Sequence, residues 1–486
     1  MQKNCFRKKI RAAVAPGVSL AKLGKQISDL RRIAQKTNFR YHTIMIVMKF
    51  GGSSVANAER IRRVAEIIRA YENERPVVVL SAMGDTTDFL LEAADCALGG
   101  KIEISEIENL HRKTAQELGI DFACVENLLA ELKQLLTGIS MIRELTKRTR
   151  DYLVSFGERM SVRIMASYLK TLGIGAAFFD AWDIGITSDS NFTKAELLDE
   201  VWQTIPQALK SYSEGSCSEI PIVTGFIAKD KKGEITTLGR GGSDLSATII
   251  GAALGVKEIQ TWKDVDGIMT ADPRICAAAR TVPEVTYEEA QELAMFGAQV
   301  LHPRSMKPCL KSGVPVRVKN SYNIKSEGSI IVKEHSSERA EVCAITSVKH
   351  VTLIDIVSAG MLGAAGFLAH IFNQFLKWEV SVDLIATSEV SVSLTVNTKA
   401  DLSGLVEDLS RVAQVGLRSG KSIVSIICDS SKASGILSRG LSALSEAGIN
   451  AQMISQGASK VNVSIVVDDE QCDTAVRTLH AEFFEK

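Results

Sequence analysis

From about residue 44 onward, the chain alternates short apolar runs with longer stretches of helical periodicity. Two runs rich in β-branched residues flank a helical stretch from Ala56 to Tyr71, in the order that builds a parallel β-α-β unit. A long helical region then spans Ser105 to Tyr168, and further strands follow up to the charged segment KEHSSERAE. The predicted strands are IMIVMKF, PVVVLSA, GAAFFDA, IPIVTGF, EITTLG, EIQTW and VPVRVKN. This pattern predicts one α/β domain with a mostly parallel sheet.

After the charged segment the pattern becomes a repeat. Residues 380–396 and 449–467 share one order, which is an apolar strand, a Ser/Gly turn and an alternating strand, and an amphipathic helix precedes each copy. The copies lie about 70 residues apart, so we predict two copies of one small module, at 345–420 and 421–486. Because an open sheet edge favours pairing with another chain, we expect these modules to associate.

Composition excludes several classes of function. Lys plus Arg and Asp plus Glu both number 57, and the resulting zero net charge argues against binding to nucleic acid or to an anionic membrane. No run of 18 apolar residues is present, so no membrane span is predicted. The nine cysteines form no CxxC pair or short Cys/His cluster, which suggests neither a zinc site nor a disulfide framework and fits a reducing compartment. Small molecules are therefore the expected ligands.

Residues 1–43 depart from this balance, because they hold eleven Lys or Arg residues and one acid, Asp29. We interpret them as a basic N-terminal extension, and three explanations stay open. An Arg-rich, acid-poor leader is typical of an organelle transit peptide, which would place the protein in a plastid. Met45 and Met48 stand just before the first strand, so an over-long gene start would equally explain the segment. A solvated basic helix around Leu20–Gln35 is the third explanation, and without a transit peptide we expect a cytoplasmic protein.

The first candidate chemistry is KFGGSSV, in which a strand delivers Lys49 and turns through two glycines into a helix. Glycines let the backbone approach a phosphate, and the lysine adds a positive charge. The motif is neither a Walker A loop nor a GxGxxG fingerprint. A lysine at the end of a strand before a tight turn is the simpler explanation of this motif on its own.

The second candidate is TLGRGGSD, again a strand, a glycine turn and a helix start. Arg240 offers a planar fork for a carboxylate, Ser243 can donate to an oxygen, and Asp244 can hold a lysine. Ser and Asp are also common helix starters, so an N-cap beside a surface arginine is the alternative.

Two further motifs carry charges. In SFGER, Glu158 is expected in the first turn of a helix, where a carboxylate can bind an ammonium group or simply stabilise the helix dipole. The segment WKDVDGIMTADPR offers Lys263, Asp264 and Arg274 to a nucleotide and its magnesium, although its DG and DP pairs are also ordinary turn chemistry.

The ordered set of motifs resembles the aspartate kinases of the amino acid kinase superfamily. The set is KFGGSSV, VVLSAMGDTT, SFGERMS, TLGRGGSDLSA, WKDVDGIMTADPR and FGAQVLHPRSM, and the C-terminal repeat looks like the tandem ACT domains of that family. The resemblance runs from about Val47 to the last residue. It implies an amino acid kinase fold for the catalytic domain at 44–335, with a mostly parallel central sheet flanked by helices. Two ferredoxin-like βαββαβ ACT modules would follow.

The resemblance also implies roles for single positions. The catalytic residues would be Lys49 and Asp244, which orients the lysine. The aspartate substrate would contact Thr87, Glu158, Arg240 and Ser243. The ATP contacts would be Lys49, Gly52, Ser53, Ser81, Lys263, Asp264, Met269, Arg274, Gln299 and Val300. Gln299 stands where many bacterial members carry lysine, so its role stays open. An allosteric amino acid would contact Met361, Gly366, Phe367, Val382, Asp383, Ser388 and Glu389.

The implied reaction is attack of the aspartate β-carboxylate on the γ-phosphorus of ATP, as in the first step of lysine, threonine and methionine biosynthesis. Mg²⁺ would be bound through ATP, with no metal site of the protein's own. A carboxylate is ionised at neutral pH, so no general base is needed, and His302 is interpreted as structural. The segment TSEVSVSLT resembles lysine-sensitive members, which implies lysine as the effector and a homodimer or homotetramer through the ACT modules.

Two alternatives compete with this reading. A kinase for glutamate or carbamate would share the phosphate-binding logic, but it leaves SFGER, TLGRGGSD and the terminal repeats unexplained. A catalytically inactive amino-acid sensor is the other, and the presence of Lys49, Glu158, Arg240 and Asp244 argues against it. We expect no fused homoserine dehydrogenase, because the chain ends at the second repeat.

Overall fold

The computed structural model describes residues 45–297, 301–336, 341–358, 366–397, 401–428, 433–457 and 461–485. The helices before residue 337 are α1 (Ala58–Ala70), α2 (Thr86–Leu98), α3 (Ser105–Leu118), α4 (Ala123–Ile142), α5 (Lys147–Thr171), α6 (Val201–Ala208), α7 (Lys210–Ser213), α8 (Gly242–Leu254), α9 (Tyr287–Met295) and α10 (Pro303–Ser312). The strands of this part are β1 (Ile46–Phe50), β2 (Pro76–Leu80), β3 (Ala176–Phe179), β4 (Thr187–Ser188), β5 (Ile220–Thr224), β6 (Ile227–Asp230), β7 (Ile235–Thr237), β8 (Glu258–Lys263), β9 (Glu284–Thr286), β10 (Val316–Asn320) and β11 (Ser329–Val332).

An eight-stranded sheet organises this part of the chain, in the order β3-β5-β2-β1-β8-β10-β11-β9. Every pair in it is parallel except β10 with β11. The predicted mixed α/β fold with a mostly parallel sheet is therefore confirmed. Strands β4, β6 and β7 form a separate small sheet, in which β6 and β7 make an antiparallel hairpin.

Strand β1 shows why the sheet has a core on both faces. Its side chains alternate between two apolar clusters, with Val47 in one and Ile46, Met48 and Phe50 in the other. Burial on both faces is what a parallel sheet covered by helices requires. The alternation puts Lys49 on the same face as Val47, where the helix α8 packs. The lysine therefore reaches the end of the strand already inside the protein.

The second part of the chain forms one antiparallel sheet of six strands, in the order β13-β14-β12-β15-β17-β16. Its strands are β12 (Val342–Val357), β13 (Val382–Thr387), β14 (Ser391–Asn397), β15 (Gln414–Cys428), β16 (Met453–Gln456) and β17 (Asn462–Asp468). Its helices are α11 (Phe367–Lys377), α12 (Ser403–Ser410), α13 (Ala433–Glu446) and α14 (Cys472–Phe484).

The two modules share their long central strands. The second half of β12 pairs with β14, and the first half of β15 lies beside it. The second half of β15 pairs with β17 on one side and with Val342–Val348 of β12 on the other. Each module is thus a βαββαβ unit, and the second one borrows a strand that precedes the first. The boundaries predicted at residues 345 and 421 stay predictions, since this exchange crosses the first of them.

Within the described residues, no helix combines the length and the apolar content that a membrane crossing needs. The basic extension at 1–43 lies outside the described residues.

Candidate active site

Two glycine turns bring a lysine and an aspartate together. Lys49 is the fourth residue of β1, and Asp244 lies in the first turn of α8. Lys49 Nζ lies 2.8 Å from Asp244 Oδ1, and only 10% and 11% of the two side chains are exposed. Ser81 at the end of β2 donates a hydrogen bond to Ser243 across the same junction, at 3.0 Å. The carboxyl ends of β1 and β2 therefore meet the amino end of α8, the usual place for a ligand in an α/β sheet.

Both turns require glycine for steric reasons. Gly241 has a φ of +74°, and a Cβ atom there would lie 2.6 Å from the Cβ atom of His302. A Cβ atom on Gly52 would lie 2.9 Å from the carbonyl oxygen of Ala82. Contacts below 3.0 Å force the backbone to move, so a side chain at either position would displace the turn.

One cavity of about 710 Å³ opens at this junction. Eight of the predicted site residues line it: Lys49, Gly52, Ser81, Thr87, Glu158, Arg240, Ser243 and Asp244. Five cations and three carboxylates face the cavity, with Lys147, Arg150, Lys194 and Asp151 joining the predicted charges. This excess of positive charge suits an anionic ligand.

Glu158 is buried with unsatisfied hydrogen-bonding capacity. One of its oxygens accepts a hydrogen bond from the backbone N–H of Ala82 at 3.2 Å, and Oε2 has no partner among the described residues. Burial raises the pKa of Glu158 to about 8. A cation bound at Oε2 would favour the ionised form, so the carboxyl group is suited to hold an ammonium.

The prediction that Glu158 lies in the first turn of its helix is wrong. Helix α5 begins at Lys147, and Thr146 caps it by accepting a hydrogen bond from the backbone N–H of Thr149. Glu158 therefore lies in the interior of α5, and helix-dipole stabilisation does not explain it. The apolar segment before SFGER belongs to the same helix.

Sequence reasoning missed Asp151, which lies two turns before Glu158 on α5 and faces the same cavity. Its carboxylate accepts hydrogen bonds from the backbone N–H groups of Thr193 and Thr237, at 2.8 and 2.9 Å, and from the Thr237 hydroxyl, at 2.8 Å. Asp151 thereby ties α5 to β7 and to the loop before α6. An earlier helix start would have revealed it, because the spacing of seven residues puts both acids on one helical face.

Sequence reasoning also missed Arg304, in the LHPRSM segment, as a residue that stabilises the site. Its guanidinium donates to the carbonyl oxygens of Leu238 and Ala195 and pairs with Glu196 at 3.0 Å. His302 caps α10 by accepting a hydrogen bond from the backbone N–H of Arg304 at 3.2 Å. These contacts hold the glycine turn before α8, which agrees with a structural role for His302.

The segment that begins at Lys263 connects the surroundings of Asp244 with the second part of the chain. Lys263 ends β8, and burial lowers its pKa while the nearby Asp244 carboxylate opposes the shift. Further along, Thr270 accepts a hydrogen bond from the backbone N–H of Arg280 at 3.0 Å. The hydroxyl of Thr270 also lies 3.0 Å from Nε2 of His480, which belongs to α14. Because Nδ1 of His480 faces the Glu485 carboxylate, which can only accept, a neutral imidazole donates from Nδ1, and its Nε2 accepts the hydrogen bond of the Thr270 hydroxyl.

Both ring nitrogens of His480 are then engaged, since Nδ1 lies 2.8 Å from the carboxylate of Glu485. Cys276 joins them, so that three potential metal ligands lie within 4.8 Å of one another. The hydrogen bonds account for this cluster without a metal. Its consequence is that the last described helix holds the segment that follows Lys263.

Several predicted nucleotide contacts do not line the cavity. These are Ser53, Lys263, Asp264, Met269 and Arg274. The guanidinium of Arg274 is paired with Asp272 at 2.7 Å and is largely exposed, and the hydroxyl of Thr281 lies 3.6 Å from the sulfur of Met269. Gln299 and Val300 lie outside the described residues. The assignment of all these residues to ATP stays a prediction.

The predicted effector residues lie in the first module. Gly366 is the N-cap of α11, and Phe367 is its first residue. Val382 and Asp383 begin the edge strand β13, and Ser388 and Glu389 follow that strand. Phe367 and Val382 pack against the same apolar cluster. Met361 lies outside the described residues. The two segments therefore border one core, and their effector role stays a prediction.

Comparison with known proteins agrees with this geometry. The model of the amino acid kinase family matches residues 45–320, and an ACT domain model matches residues 424–483. Aspartokinase 1, chloroplastic, of Arabidopsis thaliana is 48% identical over 460 residues, which cover 91% of this chain and 80% of that protein. The chain belongs to the aspartokinase family. The predicted enzyme class, an aspartate kinase, is thereby confirmed.

Solved structures of Escherichia coli aspartokinase III resemble this aspartokinase along most of its length. The complex of that protein with lysine and aspartate, in the T-state, has a TM-score of 0.76 at 30% identity and covers 91% of this chain and 100% of its own. The complex with aspartate and ADP, in the R-state, has a TM-score of 0.74 at 31% identity, with coverages of 90% and 100%. The tandem regulatory modules predicted from the repeat are thus part of a family architecture.

Proposed function

We propose that this aspartokinase transfers the γ-phosphoryl group of MgATP to the β-carboxylate of L-aspartate, giving 4-phospho-L-aspartate. One observation carries the proposal, which is that a single cavity combines the Lys49–Asp244 pair with Glu158 and Arg240. The first pair suits a phosphoryl group, and the second two suit an amino acid with a free ammonium and a free carboxylate. The complex of the E. coli relative with aspartate and ADP supports the choice of substrates.

Positioning and charge would carry the catalysis. The aspartate β-carboxylate is ionised at neutral pH, so it attacks phosphorus without a general base. Lys49 would neutralise charge on the transferring phosphoryl group, while Asp244 holds the ammonium of Lys49 at the end of β1. Glu158 would bind the substrate ammonium and Arg240 the α-carboxylate, with Thr87 and Ser243 beside them. The Mg²⁺ ion belongs to the ATP substrate, and it screens the phosphate charges.

A hydroxamate-trapping assay tests the reaction. We expect the purified protein to form aspartyl hydroxamate from MgATP, aspartate and hydroxylamine, and to form no hydroxamate of any kind when glutamate replaces aspartate. ATP consumption without aspartyl hydroxamate would contradict the proposal.

The same assay with millimolar lysine tests regulation, because we propose lysine as the inhibitory effector at Asp383 and Glu389. An unchanged rate would contradict that second assignment, which the E. coli lysine complex and the TSEVSVSLT segment support. In the cell, the product would enter lysine, threonine and methionine biosynthesis.

We also propose that two chains associate through the first module. Helix α11 exposes large apolar side chains beside the edge strand β13, including Leu368, Phe372 and Leu376. An exposed apolar surface next to an open edge favours association. Light scattering after size-exclusion chromatography should give the mass of a dimer or tetramer, and Leu376→Glu should lower it. A monomeric wild-type protein would contradict the proposal.

The comparisons favour a plastid over the cytoplasm. The relative from A. thaliana is named chloroplastic, and residues 1–43 have the Arg- and Lys-rich, acid-poor composition of a transit peptide. We therefore propose import into a plastid. Isolated chloroplasts should import and shorten the full-length protein, whereas a version starting at Met45 should stay outside. Equal behaviour of the two proteins would contradict the proposal.

A further inference from the structure

A second cavity, of about 500 Å³, lies on another face of α5. The main cavity is lined from α5 by Lys147, Asp151, Val154 and Glu158, which recur at helical spacing. The second cavity is lined by Arg148, Tyr152 and Arg159, one position further along the helix. With about 3.6 residues per turn, the two sets are rotated by about 100° around the same helix. We call this second space the α5 back cavity.

The α5 back cavity contains a cation that makes no direct ion pair among the described residues, although the more distant carboxylate of Asp183 interacts with it electrostatically. Nζ of Lys229, on β6, lies 4.2 Å from the ring centre of Trp182, and no carboxylate of the described residues lies within 4.0 Å of it. The guanidinium of Arg159 approaches the other charges only loosely, at 3.5 Å from Asp180 and 3.6 Å from Glu131. Its Nε and Nη1 atoms are buried with no hydrogen-bond acceptor among the described residues. Both cations lie beside one indole ring, and within the part of the chain that the structure describes, Lys229 without a direct ion pair and Arg159 with two unused donors together favour a bound carboxylate.

The cavity is also lined by carboxylates, which would repel a ligand that carries only negative charge. The side chains of Glu131 and Glu234 are 40% and 42% exposed and line the same space. Glu234 is paired with Arg148 at 3.1 Å, and such half-exposed pairs are weak enough for a ligand to replace. A phosphate or nucleotide would be repelled by both carboxylates. A molecule with one carboxylate and one ammonium would satisfy both signs.

Size and shape agree with this charge pattern. A volume of about 500 Å³ lies within the range of small-molecule sites. Trp182, Tyr152 and Leu135 give the space an apolar wall, on which an aliphatic side chain can pack. From these observations we infer that the α5 back cavity is a second binding site for a free α-amino acid, held through its carboxylate by Lys229 and through its ammonium by Glu234.

Occupancy of this site would reach the main cavity through two shared elements. Helix α5 carries Glu158 and Arg159 next to each other, one facing each cavity. The hairpin β6–β7 is also shared, because Glu234 bonds to Arg148 while Thr237 bonds to Asp151. A ligand that binds Lys229 and Glu234 would therefore shift the hairpin β6–β7, which is also hydrogen-bonded to Asp151. The kinetic part of this inference rests on the proposed function, whereas binding does not.

Equilibrium binding tests the site without any turnover. Each of the twenty amino acids is titrated, up to millimolar concentration and without nucleotide, while intrinsic tryptophan fluorescence is recorded. The variant Trp182→Phe identifies the signal that comes from this cavity. We expect at least one amino acid whose Kd rises tenfold or more in Lys229→Met and in Glu234→Gln. The matched control is Lys231→Met, whose ammonium lies 3.8 Å from Glu200 and does not line the cavity; it should bind as the wild type does.

Three results would overturn the inference. One is that no amino acid binds in a way that depends on Lys229. Another is that inorganic phosphate, rather than any amino acid, requires Lys229, because the site would then be a plain anion site. The last concerns the coupling between the two cavities. It fails if adding the bound amino acid changes the KM for aspartate no more in the wild type than in Lys229→Met. Thermal unfolding of each variant confirms that it is folded. If the protein proves to have no kinase activity but still binds the amino acid, the proposed reaction has failed and the binding site has not.

Discussion

The charges around Lys49 differ from those around Glu158 and Arg240, although all of them line one cavity. Lys49 and Asp244 form a buried ion pair with each other. Arg240 has no ion-pair partner among the described residues, and Glu158 keeps one oxygen unsatisfied. The first pair is therefore preorganised, which lowers the cost of reaching a charged transition state. Glu158 and Arg240 each need a partner of opposite charge, and this difference supports the proposal that the first pair acts in catalysis and the second two residues select the substrate.

The largest effect is expected at the preorganised pair. Lys49→Met should lower kcat by about a thousandfold or more, because a charge aimed at the transferring group is lost. Aspartate binding should change less than threefold, as measured by calorimetry without nucleotide. A comparable loss of aspartate affinity would contradict the division between the two pairs.

A double variant separates chemistry from stability in this test. Lys49→Met leaves Asp244 buried without its partner, which costs about 3–5 kcal/mol. Adding Asp244→Asn should recover most of the lost thermal stability and none of the activity. If activity returned with stability, Lys49 would have only a structural role.

The next largest effect is expected at Glu158 and Arg240. Glu158→Gln and Arg240→Met should each raise the KM for aspartate roughly 10- to 100-fold, since a hydrogen bond to a charged group contributes about 1.5–3 kcal/mol. The KM for ATP should stay within about threefold of the wild type. Steady-state kinetics with both substrates varied decides the point, and an equal rise in both KM values would contradict it.

The pH dependence of aspartate binding sharpens the same contrast. With a pKa of about 8 in the free protein, Glu158 is mostly protonated at pH 7, and the bound ammonium requires it ionised. Aspartate affinity should therefore increase as the pH rises towards 8, and binding should release a proton. Calorimetry in buffers of different ionisation enthalpy measures that proton. The variant Glu158→Gln should release none.

The same pKa has a consequence for stability. The folded protein binds a proton on Glu158 that the unfolded chain has lost above pH 4.5, so the contribution of Glu158 to stability should decrease as the pH rises from about 4.5 to 8. Denaturant unfolding of the wild type against Glu158→Gln should show this difference in slope. A wild type that gains stability relative to the variant across this window would contradict the assignment.

The smallest effect concerns the contact of helix α14 with the segment after β8, which we predict to bind ATP. His480→Gln should raise the KM for ATP about threefold with little change for aspartate, since one hydrogen bond of about 1 kcal/mol to Thr270 is lost. Thr270→Val should raise it at least as much, because it also removes the acceptor of the Arg280 backbone N–H. The double variant should be no worse than Thr270→Val alone, because both substitutions remove the Thr270–His480 bond. His350→Gln, at an exposed pair with Asp469, is the matched control and should change nothing. Additive effects would show that Thr270 and His480 act separately.

Local backbone rules explain how much could be predicted from the sequence. Two glycine turns with a charged residue beside each are local signals, so Lys49, Arg240 and Asp244 could be assigned to one cavity. The buried apolar strands and the helical periodicity are also local signals, and they were enough to predict the parallel sheet. The start of α5 could not be located as well, because SFGER resembles a helix start, and this error hid Asp151 beside Glu158.

The remaining features depend on contacts between distant parts of the chain. Thr270 meets His480 across 210 residues. Lys229 and Trp182 show no motif, since each is a single residue on its own element. The exchange of a strand between the two modules also left no periodic signal. Such contacts follow from the packing of whole elements, which one sequence does not reveal.

The borrowed strand has a consequence for how the protein is made. A ribosome releases Val342–Val348 long before the chain reaches β15 and β17, which enclose the second module with it. Until then that segment has no neighbouring strand, although Ile345 can already donate its backbone N–H to the carbonyl oxygen of Thr270. The first module can close early and the second only after translation nears its end, so premature termination would leave an exposed strand ready to aggregate.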